Sequence, residues 1–206
     1  MNKVFGICLT AGIILCSIAG VPARAGEART HDGFFLRLSA GGGGASSKIE
    51  DPSASVDFSG TSGEMNIAVG GMVQPNLAIH GTIWGWSVSD PDADVTIAGL
   101  GSVSGTLNGT ATMSGFGPGV TYYFMPINMY ASASVGIGKL KLDGDVTGET
   151  NTGFAMDLTL GKEWWVGQNW GLGLAGGFSY HSLPDKDVSE SWSGSSFALR
   201  FSATMN

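Results

Sequence analysis

The chain has 206 residues, with 10 basic side chains against 17 acidic ones, and that acidity argues against nucleic acid as a partner. The 34 glycines, each roughly 1 kcal/mol worse than alanine inside a helix, argue against a helical bundle. The 2 cysteines, Cys8 and Cys16, both lie close to the N-terminus.

Lys3, an uncharged run from Val4 to Val21, and Pro22-Ala23-Arg24-Ala25 supply in order the positive start, apolar middle and A-x-A exit of a cleaved signal peptide, residues 1–25. A membrane-anchoring helix is the alternative, since the run approaches spanning length. Leu15 before Cys16 and Ile7 before Cys8 are too large for lipoprotein processing. Cleavage removes both cysteines, so neither a disulfide nor a thiolate metal site is expected in the mature chain. It also removes Lys3 and Arg24, leaving the rest more acidic still. A short segment, 26–32, then leads into one domain, 33–206.

Within that domain apolar residues recur at period two, the mark of strands. The expected strands are 33–42, 64–73, 77–88, 109–124, 129–141, 152–165, 170–181 and 195–204. Their connections alternate in length. Gln74-Pro75-Asn76, Met125-Pro126-Ile127-Asn128 and Val166-Gly167-Gln168-Asn169 are compact turns. The stretches near 43–63, 89–108, 142–151 and 182–194 are longer and rich in Ser, Gly, Asp and Pro. This predicts an all-β, eight-stranded antiparallel up-and-down transmembrane β-barrel, with short turns and both termini at one rim and long loops at the other.

Parity supports a lipid-facing exterior. Phe197, Leu199, Phe201 and Ala203 alternate with Ala198, Arg200, Ser202 and Thr204; Phe154, Met156, Leu158 and Leu160 alternate with Ala155, Asp157, Thr159 and Gly161. Met129 to Ile137 repeats the pattern against Tyr130, Ser132, Ser134 and Gly136. Between Trp170 and Phe178 the inward positions are Gly171, Gly173, Ala175 and Gly177, an almost bare face. In strand 77–88, Leu77, Ile79 and Ile83 compete with Trp84 and Trp86 for the outer face. Either a bulge near Gly81 or Gly85 reconciles them or the tryptophans sit in the lumen. Phe34, Tyr122, Tyr123, Phe124, Trp164, Trp165 and Trp170 gather near the short-turn rim as an interfacial girdle would.

Four charged residues fall on inward parity: Arg37, Asp157, Glu163 and Arg200. They read as a structural ionic cluster filling a narrow lumen, with His80 as a further member if Leu77 and Ile79 face outward. A gated ion path is the functional alternative. The loop acids, including Asp90-Pro91-Asp92-Ala93-Asp94, Asp143-Gly144-Asp145 and Asp185-Lys186-Asp187, are candidates for divalent cations. The first run has Val95 and Gly101 where an EF-hand loop needs its glycine and glutamate. Lys139 and Lys141 are placed to meet lipopolysaccharide phosphates. Tyr180-His181-Ser182 beside Asp185 is the only catalytic candidate, and neighbouring residues of a strand face opposite ways, a poor start for a nucleophile and its base. No catalytic residue, cofactor or metal ligand is assigned.

The opening strand His31-Asp32-Gly33-Phe34-Phe35-Leu36-Arg37-Leu38, the stretch from Gly117 through Tyr122-Tyr123-Phe124-Met125-Pro126-Ile127-Asn128, and the closing Phe197-Ala198-Leu199-Arg200-Phe201 resemble the small outer-membrane barrel superfamily that includes OmpX, OmpW and the membrane domain of OmpA. The resemblance covers 31–206 as architecture and transfers no site. It implies a bacterial outer-membrane location and contact with membrane lipid, lipopolysaccharide and the barrel assembly machinery. The ending Ala203-Thr204-Met205-Asn206 departs from the terminal aromatic that such machinery reads. The expected role is non-enzymatic, in envelope integrity or surface recognition. The alternatives are a narrow channel or transporter, including a lateral path through the glycine-rich seventh strand, and a lipid-modifying enzyme.

Overall fold

The computed structural model describes residues 31–186 and 188–205. The leader, both cysteines and the aspartate at position 187 lie outside them. The strands are β1 (Phe34–Glu50), β2 (Ala54–Gln74), β3 (Leu77–Ser89), β4 (Asp92–Ile97), β5 (Gly101–Thr106), β6 (Gly109–Phe124), β7 (Met129–Gly144), β8 (Gly148–Glu149), β9 (Gly153–Trp165), β10 (Trp170–Pro184) and β11 (Ser191–Met205). Eight of them form an antiparallel ring in the order β1-β11-β10-β9-β7-β6-β3-β2, closed by β2 pairing β1. Among the described residues no helix is long and apolar enough to cross a membrane; closure satisfies the backbone of each strand through its neighbours, as a lipid environment demands.

The part of the ring toward the short-turn rim has the inside-out polarity expected from parity. Leu199 is 76% exposed and Phe201 73%, while Arg200 between them is 2% exposed. Leu158 and Leu160 likewise face outward around buried Thr159. Trp164, Trp170, Phe34, Tyr122 and Phe124 ring the short-turn rim and are exposed, whereas Tyr123 is buried and belongs to the lumen.

Strand β3 resolves in favour of the lumen: Ile79 and Ile83 face outward, and Trp84 and Trp86 are 1% and 4% exposed. No bulge occurs at Gly81 or Gly85; pairing with both neighbours runs unbroken past them, and the irregularity in this hairpin lies between Met72 and Gln74.

Three long connections are shorter than the sequence suggests. Pairing of β1 with β2 continues from Phe34–Gly71 to Glu50–Ser55, so the expected 43–63 loop is a tall hairpin turning at 51–53. The 182–194 loop shrinks to 185–190. The 89–108 loop contains the β4–β5 hairpin, and β4 pairs with the upper end of β2. These stretches lack apolar alternation because they stand above the lipid: Ser46, Lys48, Thr61, Ser182 and Ser193 occupy outward positions there. Above the lipid the polarity reverts to that of a water-soluble barrel. Trp84, Trp86, Val88, Met113, Leu140 and Leu183 pack as a dry core inside the upper lumen, partly covered by Leu142 and Trp192.

Candidate functional site

Among the described residues the lumen is the only place that collects buried charge, and it is layered. At its middle Arg200 on β11 uses every N–H of its guanidinium. Nε and Nη2 donate to Glu64 Oε2 at 2.9 and 2.7 Å, and Nη2 donates to Asp157 Oδ2 at 2.6 Å. Nη1 donates to Asp157 Oδ1 and to Thr159 Oγ1, both at 3.1 Å. Asn66 Nδ2 donates to Asp157 Oδ1 at 2.9 Å, a bond directly across the barrel from β2 to β9. The pair partners lie two strands to either side of Arg200, and glycines on the intervening strands make that reach feasible. A Cβ on Gly177 of β10 would sit 2.4 Å from Arg200 Cζ, and one on Gly41 of β1 would meet the Leu199 carbonyl at 1.9 Å.

The same device recurs. Trp84 lies over Gly115, Tyr130 over Gly161, and His80 over Gly119, each within 2.6 Å of where a Cβ would be. Gly173 and Gly171 face Glu163. Gly171, Gly173 and Gly177 on the bare inner face of β10 are therefore sockets filled from neighbouring strands.

Below the Arg200 layer, Arg37 reaches across the barrel from β1 to β7, donating through Nη2 to Ser132 Oγ at 2.7 Å with its guanidinium 4.5 Å over the Tyr130 ring. Hydroxyls extend this layer: Thr121 donates to Ser132 at 2.9 Å, His80 is bonded to Thr121 and Thr82 at 2.9 and 2.7 Å, and Ser134 donates to Thr82 at 2.9 Å. Glu163 lies at the rim, accepting from Thr204 Oγ1 at 2.6 Å. The four charged residues singled out in the sequence are thus divided. Arg200 and Asp157 form an ion pair; Arg37 and Glu163 make no ion pair among the described residues.

Glu64 is the member that sequence reasoning missed. It lies at the boundary of the expected second strand, so its inward parity with Asn66 and Ala68, opposite Met65, Ile67 and Val69, went unread.

Aromatic side chains stack at both ends of the lumen. At the short-turn rim His31 is fully buried, stacked on Tyr123 at 3.5 Å and bonded to Asn128 at 2.7 Å. At the upper end Phe58 stacks on Trp192 at 5.3 Å, and the Trp192 indole donates to Asp185 at 2.7 Å. His181, the sequence's catalytic candidate, faces the lumen, where its partner is Ser47 Oγ at 2.9 Å rather than Ser182; both residues are buried, under the Trp86 ring.

The loop acids serve local turns. Asp90 accepts from Gly109 N at 3.1 Å, Asp92 from Thr106 at 3.0 Å, Asp94 from Ser104, and Asp145 from Asn108 at 3.0 Å. Among the described residues no three His, Cys, Asp or Glu side chains are grouped to hold a metal. Lys141 is paired to Asp143 at 2.8 Å, which raises its pKa, and Lys186 at 2.5 Å holds the Glu149 carboxyl below its ordinary value.

Asp57, above the lipid, is pushed up by partial burial; Lys48 opposes this, and Asp94 across the strand adds to it. Its charge therefore works against the β2–β4 seam, and folding of this seam binds a proton more tightly than the open chain does. The seam is expected to strengthen as pH falls through the raised pKa and to weaken above it. Protection factors at β4 amides, corrected for the intrinsic pH dependence of exchange, should rise on mild acidification, and Asp57→Asn should abolish that rise.

No family model matches the chain, and no curated protein matches it. Solved structures do. Neisserial surface protein A is 14% identical with a TM-score of 0.49, the match covering 84% of this chain and 96% of that one. The outer membrane protein OprG from Pseudomonas aeruginosa is 12% identical with a TM-score of 0.49, covering 87% and 100%. The outer membrane protein AlkL is 15% identical with a TM-score of 0.44, covering 91% and 95%. On its own geometry the chain is a transmembrane barrel of the outer-membrane type: eight antiparallel strands, short turns at one rim, taller extensions at the other, and an apolar belt around a polar middle.

Proposed function

We propose that this is a non-enzymatic outer-membrane protein whose barrel anchors a rigid, hydrogen-bonded extracellular surface, acting in surface recognition or envelope integrity. The observation that carries the reading is the succession of buried side chains along the lumen, from His31 at one rim, through the Arg200 and Arg37 layers, to the apolar core around Trp86 and the Phe58–Trp192 stack at the other. A barrel whose lumen is occupied in this way suits a scaffold, and function in such scaffolds resides in what projects from them. The enclosure of Ser47 and His181 supports the non-enzymatic part, since a nucleophile must meet its substrate.

Lys139 and Lys141, directly above exposed Ile137, suit the phosphates of the outer leaflet; unchanged lipopolysaccharide association in a Lys139→Ala, Lys141→Ala variant would remove that contact from the account. The main reading is tested by outer-membrane fractionation, boiled and unboiled gel samples, and planar-bilayer recording. A heat-shifted band in the outer-membrane fraction without unit conductance is expected. Solute flux or single-channel steps in the native protein would transfer the reading to the channel alternative.

A further inference from the structure

Above the lipid, the upper halves of β1 and β2 continue into β4 and β5 as a sheet that leaves the ring, and β5 is its edge, paired to β4 alone. All of Gly101–Thr106 is exposed. Leu107 N donates to the Pro91 carbonyl at 3.0 Å; by the alternation of an antiparallel pair, the backbone groups of Thr106, Ser104 and Ser102 then point away from β4. Sheet edges of this kind are normally blunted by charge, lysine or proline, and the sequence Gly-Ser-Val-Ser-Gly-Thr has none of these. Unpaired strand backbone is matched best by another strand.

The two faces of the wing specify what that strand would carry. One face bears the cross-strand row Ile49, Val56, Val95, Val103, and Val103 at its end is 74% exposed. The other bears the row Lys48, Asp57, Asp94, Ser104, with Asp92 and Glu50 on the same face, so four acids meet one base, and Lys48 is paired to Glu50 at 2.5 Å. A strand added beside β5 would place alternate residues next to Val103 and next to the acidic row. A lipid surface fits less well, because bilayer contact would leave the edge backbone unsatisfied.

We propose that β5 is a docking edge for an extended segment of another protein in which apolar and cationic side chains alternate. This rests on the reading above that the wing faces the cell exterior. Binding would add backbone hydrogen bonds to Ser102, Ser104 and Thr106, seat an apolar side chain against Val103, and set a Lys or Arg over Ser104 toward Asp94.

The test uses the full mature protein in phosphatidylcholine nanodiscs, with its heat-shifted gel band as the check on the barrel. Fluorescence anisotropy is read with a short labelled peptide of alternating lysine and valine, its glutamate–valine counterpart, and a lysine–valine peptide of equal composition in blocks. The alternating cationic peptide is expected to bind roughly tenfold more tightly than either control. Ser104→Pro, which removes an outward N–H and spares the pairing to β4, and Val103→Lys, which charges the apolar row, should each weaken it by a similar factor. Retained exchange protection at Leu107 shows that the hairpin survives each change. Equal binding of the block peptide, or binding unchanged by both substitutions, would overturn the proposal. So would a dimer of the native chain that Ser104→Pro dissolves, since a second copy would then occupy the edge. A missing heat-shifted band would count against the barrel reading instead, and a shifted protein indifferent to the peptides against this inference alone.

Discussion

Replacing Arg200 with methionine is expected to destabilise the barrel by about 3–5 kcal/mol, because it leaves buried carboxylates without their partner. Glu64 and Asp157 sit on strands two positions to either side, and both depend on the one guanidinium. The loss should appear as an earlier midpoint in urea unfolding from lipid vesicles, followed by tryptophan fluorescence. Combining the change with Glu64→Gln and Asp157→Asn should recover most of it, since no unpaired charge then remains. Arg200→Lys should fail to substitute: an ammonium has three donors where the site uses five contacts from a planar fork. A single Arg200→Met variant with wild-type stability would mean that the middle of the lumen is hydrated well enough to solvate both acids.

The second large effect belongs to the dry core. Trp86→Ala should lower stability by about 3–5 kcal/mol through the lost burial and the cavity it leaves. Trp84 and Trp86 lie between the polar layers and the upper mouth, so removing both rings also removes the apolar layer that keeps water from the charged centre. The double variant should conduct in planar bilayers, whereas the native protein is expected to show no unit conductance. It should favour cations, because Glu64 and Asp157 outnumber Arg200 in the layer it exposes. A double variant that remains silent would place the seal at His31 or the Phe58–Trp192 stack.

The strand count, the rim assignment and the facing of β7, β9, β10 and β11 were legible because lipid requires large apolar side chains at every second position through the belt. Leu158 and Leu160 against Asp157 and Thr159, or Leu199 and Phe201 against Arg200, admit one register. That requirement stops where the strands leave the lipid. Gly43, Gly44, Ser46 and Ser47 alternate in nothing that the membrane selects, so the upper part of the tall β1–β2 hairpin reads as a loop. The β3 tryptophans looked ambiguous for a related reason: an apolar residue faces out within the belt and in above it, and Ile83 and Trp84 stand close to the crossover.

The interior cluster was half legible. Inward parity picked out Arg200 and Asp157, but which charges meet depends on ring order and on which intervening strands lack side chains. Gly177 and Gly41 carry that information without resembling a site. Arg37 and Arg200 look alike on parity alone, and the height of each along its strand separates a bond to Ser132 from an ion pair with Glu64.

Inverted polarity is the central claim, and nitroxide accessibility measures it most directly. Spin labels placed singly at Leu199, at Ser193 on the same strand above the lipid, and at Ser104 on the wing would be exposed in lipid vesicles to oxygen, which concentrates in the bilayer, and to a water-soluble nickel chelate. The label at position 199 should relax with oxygen and ignore nickel, and those at 193 and 104 should do the reverse. Nickel access at position 199 equal to that at 104 would place the Leu199 face in water and contradict the account.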